Sequence, residues 1–288
     1  MLMAATAALG NTETDFAEFI TELQTTICDE VTALDGSGKA FIVDRWERDP
    51  ANPAAGFGIT RVLEGGDLIE KGAVNVSVIS GRLTPQRAQA MSSRGRPEIN
   101  PAGGDPYQAA ALSLVLHPTS PWVPTLRADV RLFAVNGSRW FGGGCDITPV
   151  YLNESDATEF HVFWKQLCDA HDAGYYARFK KWCDEYFYLP ARKEHRGVGG
   201  IFFDDLADAP GAGASGVEAF VRAVGRGILP SWAPIVSRNR HLPYSAEQRN
   251  WQLLRRGRYL EFNLLYDRGV RFGLEGGRVE SIMVSAPP

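Results

Sequence analysis

Cysteine is scarce, with four in 288 residues at positions 28, 145, 168 and 183. None of the spacings is CxxC, which argues against both a disulfide framework and a cysteine zinc site. The thiols read as free and mostly buried, in a reducing compartment. Positive charge is missing from the start, since the first Lys or Arg is Lys39. The apolar opening MLMAATAALG therefore lacks the basic flank of a secretory signal and the arginines of a transit peptide. No run approaches the roughly 18 apolar residues of a membrane helix. A cytoplasmic protein without stable membrane association is expected. Histidine is sparse too: positions 117, 161, 171, 195 and 241 form no HxxxH or HExxH pair. His117 and His161 could meet with carboxylates at a metal, but ordinary hydrogen-bonded histidines are the simpler reading. No GxSxG elbow anchors a serine hydrolase. The net charge of -4 gives no sign of a nucleic-acid partner.

What is present is 44% hydrophobic and 22% charged, an ordinary globular balance. Charge is uneven, however. Residues 237–288 carry nine arginines, no lysine and five acids, making that segment +4. Arginine without lysine suits bidentate recognition of carboxylates or phosphates; a solvated basic face is the alternative. The spacing of Phe16, Phe19, Ile20, Leu23, Ile27 and Val31 predicts an amphipathic helix over 14–34. A tail of 1–13 precedes it, and 14–288 reads as one domain. A strand meander follows over 40–83 and a loop over 84–107. Strands are expected at 111–117, 128–135, 198–206, 259–267 and 279–285, and helices at 155–170, 175–188, 217–229 and 245–256. The last opens with a capping-box pattern at Ser245. The fold class is α+β: a large, mostly antiparallel sheet covered by helices.

Two glycine motifs invite opposite readings. Gly211-Ala-Gly-Ala-Ser-Gly216 matches GxGxxG but lacks the adjoining strand and the following acid of a dinucleotide site, so it reads as a loop. The stretch WFGGGCDITPVY, residues 140–151, lacks the helix N-terminus and Lys or Ser/Thr of a phosphate loop. Its glycines would instead let the main chain run close to a ligand, with Asp146 just beyond. Strand periodicity adds to this picture. Residues 127–135 place Arg127, Asp129, Arg131 and Phe133 on one face. Residues 259–267 would place Tyr259, Glu261, Asn263 and Asp267 together, and 111–117 would pair Ser113 with His117. Facing one way, these strands floor a charged cleft; facing water, they are an ordinary exposed sheet.

The segments RWFGGGCDITPVY, FKKWCDEYFYLPARKEHRGVGGIFFDDL and RRGRYLEFNLLYDRGVRFGLEGGRVESIMVSAPP resemble the oxygen-dependent coproporphyrinogen III oxidases, from about residue 15 to the end. The resemblance implies a single domain with a large flat antiparallel sheet between helices on both faces, and a homodimer. The implied reaction is oxidative decarboxylation of two propionates of coproporphyrinogen III to vinyl groups, giving protoporphyrinogen IX. Dioxygen is the co-substrate, and no cofactor or metal is implied. A tetrapyrrole with several carboxylates and pyrrole N–H groups suits arginine forks and a central carboxylate. Asp146 or Asp267 would hold the pyrrole nitrogens while the other assists proton transfer. Arg131, Arg268 and Arg278 would clamp propionates. Matched position by position, Ser113, Asp129, Val130, Arg131, Gly276, Gly277 and Arg278 fall on substrate-contacting positions.

Two departures stand out. The family's His-x-Asn-x-Arg is here Arg127-Ala-Asp129-Val-Arg131, and arginine cannot donate a proton at neutral pH. The role would pass to Asp129, Asp146 or water. Relatives also continue beyond the position of Pro288 with a segment that helps the dimer. Two rival readings are a non-catalytic tetrapyrrole carrier on the same scaffold and a metal-dependent decarboxylase or hydrolase, which the sparse histidines disfavour. An oxygen-independent oxidase would need a CxxxCxxC cluster that the cysteines do not form.

Overall fold

A computed structural model describes residues 11–208, 216–274 and 277–288. The GxGxxG stretch thus lies outside the described residues except for Gly216, and so does Gly276. The chain forms helix α1 (Asn11–Asp35), strands β1 (Ile42–Glu47), β2 (Gly56–Glu64) and β3 (Ile69–Arg82), then helix α2 (Pro85–Ser92). Strands β4 (Pro106–Pro118), β5 (Thr125–Val135) and β6 (Ser138–Thr148) follow, with helices α3 (Glu154–Asp169) and α4 (Tyr175–Tyr186). A short ribbon, β7 (Tyr188–Leu189) and β8 (Glu194–His195), leads into β9 (Gly199–Leu206). Helices α5 (Gly216–Asn239), α6 (Ala246–Leu265), α7 (Arg268–Leu274) and α8 (Val279–Met283) complete it.

Seven strands form one antiparallel sheet in the order β1-β2-β3-β4-β5-β6-β9. Alternation along each strand gives the sheet two unlike faces. On the first face, side chains such as Leu112, Leu114, Val130, Leu132, Phe141 and Phe203 join the main core beneath α1, α3 and α5. Helix α1 supplies the expected stripe, and its buried Gln24 amide donates to the carbonyls of Ile59 and Val74, each at 2.8 Å. The second face is covered at two ends, and α8 also meets it, where the Thr60 hydroxyl bonds that of Ser281 at 3.2 Å. Ala88 and Met91 of α2 pack on Tyr107 and Trp140, while Phe262 of α6 packs on Phe187 and Phe202. Helix α4 wraps the β9 edge and touches both faces, through Phe179 on Phe203 and Tyr186 on Phe202.

Three local expectations are corrected. Residues 259–265 are helix, not strand, with Tyr266 closing it, because Tyr259, Phe262, Asn263 and Tyr266 also fit a helical repeat, and that face is the one the sheet covers. Residues 279–283 are likewise helical. The expected loop at 84–107 contains α2, whose Thr84 side chain accepts from the Arg87 amide with Pro85 in the first turn, a start signal rather than a break. Helix α5 also runs past Pro230 and Pro234, where burial of Trp232, Ile235 and Val236 outweighs the lost donors.

Candidate active site

Between the covered ends of the second face lies a cavity of about 460 Å³. Register builds its floor. Arg127 pairs with Asp146, Asp129 with Gly144 and Ser113, and Arg131 with Gly142 across the ladders of β4, β5 and β6. Arg127, Arg131 and Gly142 line it from below, Phe202 and Asp204 of β9 from the side. Arg87 and Arg94, in α2 and just after it, form one wall; Tyr186, Asp267 and Arg268 form the other.

The floor is an unbroken alternation of charge. Arg196 pairs with Asp146, whose other oxygen lies 4.0 Å from Arg127. Arg127 meets Asp129 at 2.7 Å, and Asp129 also binds Arg131. Arg131 reaches Asp204 at 3.2 Å, and Arg94 bridges Asp204 and Asp205 at 3.1 and 3.2 Å. Burial alone would lower the pKa of Arg127, but Asp129, Asp146 and Asp267 outweigh it and hold the guanidinium above its ordinary value. Burial would raise Asp204, yet Arg131 and Arg94 hold it below the ordinary carboxylate range. Asp205 is pushed up by burial and by Asp204 beside it.

The structure distributes the sequence-predicted residues unevenly. Arg131, Asp267 and Arg268 line the cavity. Asp129 and Ser113 lie on the floor side, the former locked between two arginines. Asp146 is buried on the same face beside Arg127, bound to Arg196, whose side chain is 1% exposed and whose guanidinium lies 3.9 Å from the Phe187 ring centroid. Val130 turns its side chain into the core on the opposite face, leaving only its backbone toward the floor. Arg278 precedes α8 without capping it through its side chain and pairs with Asp44 of β1, and the Gly277 amide donates to the Gly273 carbonyl at 2.7 Å. Neither lines the cavity. The glycine triplet is the interior of β6, and a Cβ on Gly142 would come within 2.5 Å of the Arg131 guanidinium. That glycine lets Arg131 lie flat across the strand, so the close approach is first to an arginine of the chain itself.

The arginine-rich C-terminal segment is mostly structural, a correction to the expected forks. Arg249 and Arg256 bind Glu70, Arg255 and Arg258 bind Glu194, and Arg238 binds Asp156. Only Arg268 among them reaches the cavity. The guanidiniums missed by sequence, Arg87 and Arg94, belong to the stretch read as loop. Asp204 was legible: in Phe202-Phe203-Asp204 the strand period puts Phe202 and Asp204 on one face. His117 bonds the Ser285 carbonyl, and His161 bonds Tyr176 and the Val198 carbonyl. Among the described residues no cluster of three or more His, Cys, Asp or Glu could hold a metal.

The fold and site define an α+β protein whose antiparallel sheet carries a cavity lined by five guanidiniums, two carboxylates and aromatic rings. Residues 15–288 match the family model described as coproporphyrinogen III oxidase, and the chain belongs to that family. It is 47% identical over 275 residues to the oxygen-dependent coproporphyrinogen-III oxidase of Drosophila melanogaster, covering 93% of this chain and 68% of that protein. It is 44% identical over 285 residues to the mitochondrial enzyme of that name from Homo sapiens, covering 96% and 61%. It is also 44% identical over 282 residues to the chloroplastic one from Glycine max, covering 94% and 71%. The chain thus spans about two thirds of these relatives' length, and less of the human one.

Proposed function

We propose that the protein catalyses the oxygen-dependent oxidative decarboxylation of coproporphyrinogen III to protoporphyrinogen IX in haem biosynthesis. The observation that carries this reading is the cavity itself, where guanidiniums on opposite walls face an aromatic and carboxylate lining. Propionates would be gripped by Arg131, Arg268, Arg87 and Arg94, which fixes the reacting side chain in register. Asp267 is the carboxylate on the wall, and it would accept the pyrrole N–H; Asp146, buried beside Arg127, would act through that arginine. Ser113, Asp129 and the backbone of Val130 would complete the floor under the substrate.

The tetrapyrrole is electron-rich once a pyrrole proton is withdrawn, so it would supply the electrons for dioxygen itself. On this reading no cofactor enters. The four described cysteines are buried free thiols, which supports a reducing, cytoplasmic-like setting. No described helix is long and apolar enough to cross a membrane. A homodimer is also proposed. The edge strand β1 exposes Ile42 at 75%, and the outer side of α6 exposes Trp251, Leu253 and Leu254, which a second copy would cover.

The purified protein should convert freshly reduced coproporphyrinogen III to a divinyl product in air, with or without a strong chelator, and not under argon. Binding without product in any condition would leave a carrier. Asp267→Asn should lower kcat by about 100-fold or more; turnover within a few-fold of the parent would remove Asp267 from the chemistry.

A further inference from the structure

The reaction takes up protons, and the cavity holds few groups able to give one. For each propionate, R–CH2–CH2–COO⁻ + O2 + H⁺ yields R–CH=CH2 + CO2 + H2O2. The C–CO2 bond and one C–H bond break, a C=C bond and two O–H bonds form, and an electron pair passes from substrate to dioxygen. One peroxide hydrogen comes from substrate; the other must come from an acid. Among the cavity-lining residues the titratable ones are five arginines, Asp204, Asp267 and Tyr186. Arginine stays protonated. Asp204 is held ionised by Arg131 and Arg94.

Tyr186 is placed differently. It closes α4, and its ring stacks on Phe202 at 4.4 Å and 12°. Its hydroxyl donates to Asp267 Oδ1 at 3.2 Å and accepts the Arg268 amide at 3.1 Å. The Arg268 guanidinium lies 5.0 Å from the ring centroid. Burial above all, and then Asp267, hold the phenol above its ordinary pKa, while Arg127 of β5 and Arg268 pull toward the phenolate. Asp267, Arg268 and Arg127 are the charged groups acting on the hydroxyl from its neighbouring elements.

Resting on the proposed oxidative decarboxylation, we infer that Tyr186 is the proton donor to reduced dioxygen, coupled to Asp267. The Tyr186 O–H bond breaks as the second peroxide O–H bond forms. The phenolate is neutralised by the carboxyl of Asp267, which has taken the pyrrole proton, and the pyrrole nitrogen is reprotonated from water. The sum is the single proton of the equation. This places the proton chemistry on the wall opposite α2, leaving Arg127 and Asp129 as fixed charges.

The competing account is structural: the hydroxyl merely holds the 267–270 turn, where Asp267 also accepts the Gly269 and Val270 amides. Tyr186→Phe keeps the stack on Phe202 and separates the two. Proton donation predicts a kcat lower by about 100-fold or more with KM changed by less than about twofold, and a larger solvent deuterium isotope effect on kcat. An unchanged kcat, or a raised KM with kcat retained, overturns the inference. Should Tyr186→Phe fail to fold, 3,5-difluorotyrosine placed at 186 provides the second measurement. Its more acidic phenol should move the alkaline loss of kcat to lower pH, and an unmoved limb overturns the inference. Absence of divinyl product from the unmodified protein in air would instead sink the proposed function, so the two failures are distinguishable.

Discussion

Asp146 shows how much depends on a single partner. It reads from sequence as an open carboxylate beside the glycine triplet, but it is the counter-charge of a fully buried guanidinium. Removing one member of a buried pair leaves the other uncompensated, at a cost of about 3–5 kcal/mol. Asp146→Asn should therefore destabilise the fold as well as impair turnover, visible as a lower urea midpoint before any assay. A midpoint equal to the parent's would mean Arg196 is solvated or otherwise paired. His117 is a second case. Burial above all pushes its pKa down to about 3 from the ordinary 6.5, despite the Ser285 carbonyl. Below pH 6.5 the unfolded chain binds a proton that the folded chain refuses, so this contribution is complete above 6.5 and lost as pH falls toward 3. Between pH 7 and 5 it removes on the order of 2 kcal/mol. Chemical denaturation of His117→Gln at both pH values should show a loss smaller by that amount.

At the scale of elements, β6 does what side chains alone could not. Gly142 leaves the space in which Arg131 lies across the strand toward Asp204. Gly142→Ala would push the guanidinium upward while the ladder of β5 and β6 stays paired. Substrate affinity should fall by roughly tenfold, the loss of about one charge-assisted hydrogen bond, with the unfolding midpoint little changed. Titration with coproporphyrin, the oxidised ring, would read it directly. Helix α2 is the element least legible in the sequence, since its eight residues are too few for periodicity to speak and a proline such as Pro85 marks a helix start and a loop alike. The strand assignment at 259–267 failed for a related reason: apolar residues there satisfy two periods, and only contact with Phe187 and His117 selects the helical one.

For the whole molecule, the exposed apolar edge at β1 bears on assembly. A lone edge strand with exposed Ile42 and Val43 is a template for pairing. Sedimentation of the intact chain should give twice the monomer mass at micromolar concentration. Ile42→Asp together with Leu254→Asp should shift it to monomer; a parent that sediments as a monomer at high concentration would refute the dimer.

The amino-acid sequence by itself determined the α+β class, most of the sheet, the stripe of α1 and the charged face of β5, because each rests on local period or on motif. It also carried the family, through long shared segments. It could not decide which charges meet. That Arg127 would stand between Asp129 and Asp146, or that Arg94 would reach Asp204, depends on strand register and on a helix crossing from another part of the chain. Tertiary structure alone sorted the arginines into those that hold α6 to the sheet and those that face the cavity. The same residue type serves both ends, and only distance to a carboxylate of the chain tells them apart.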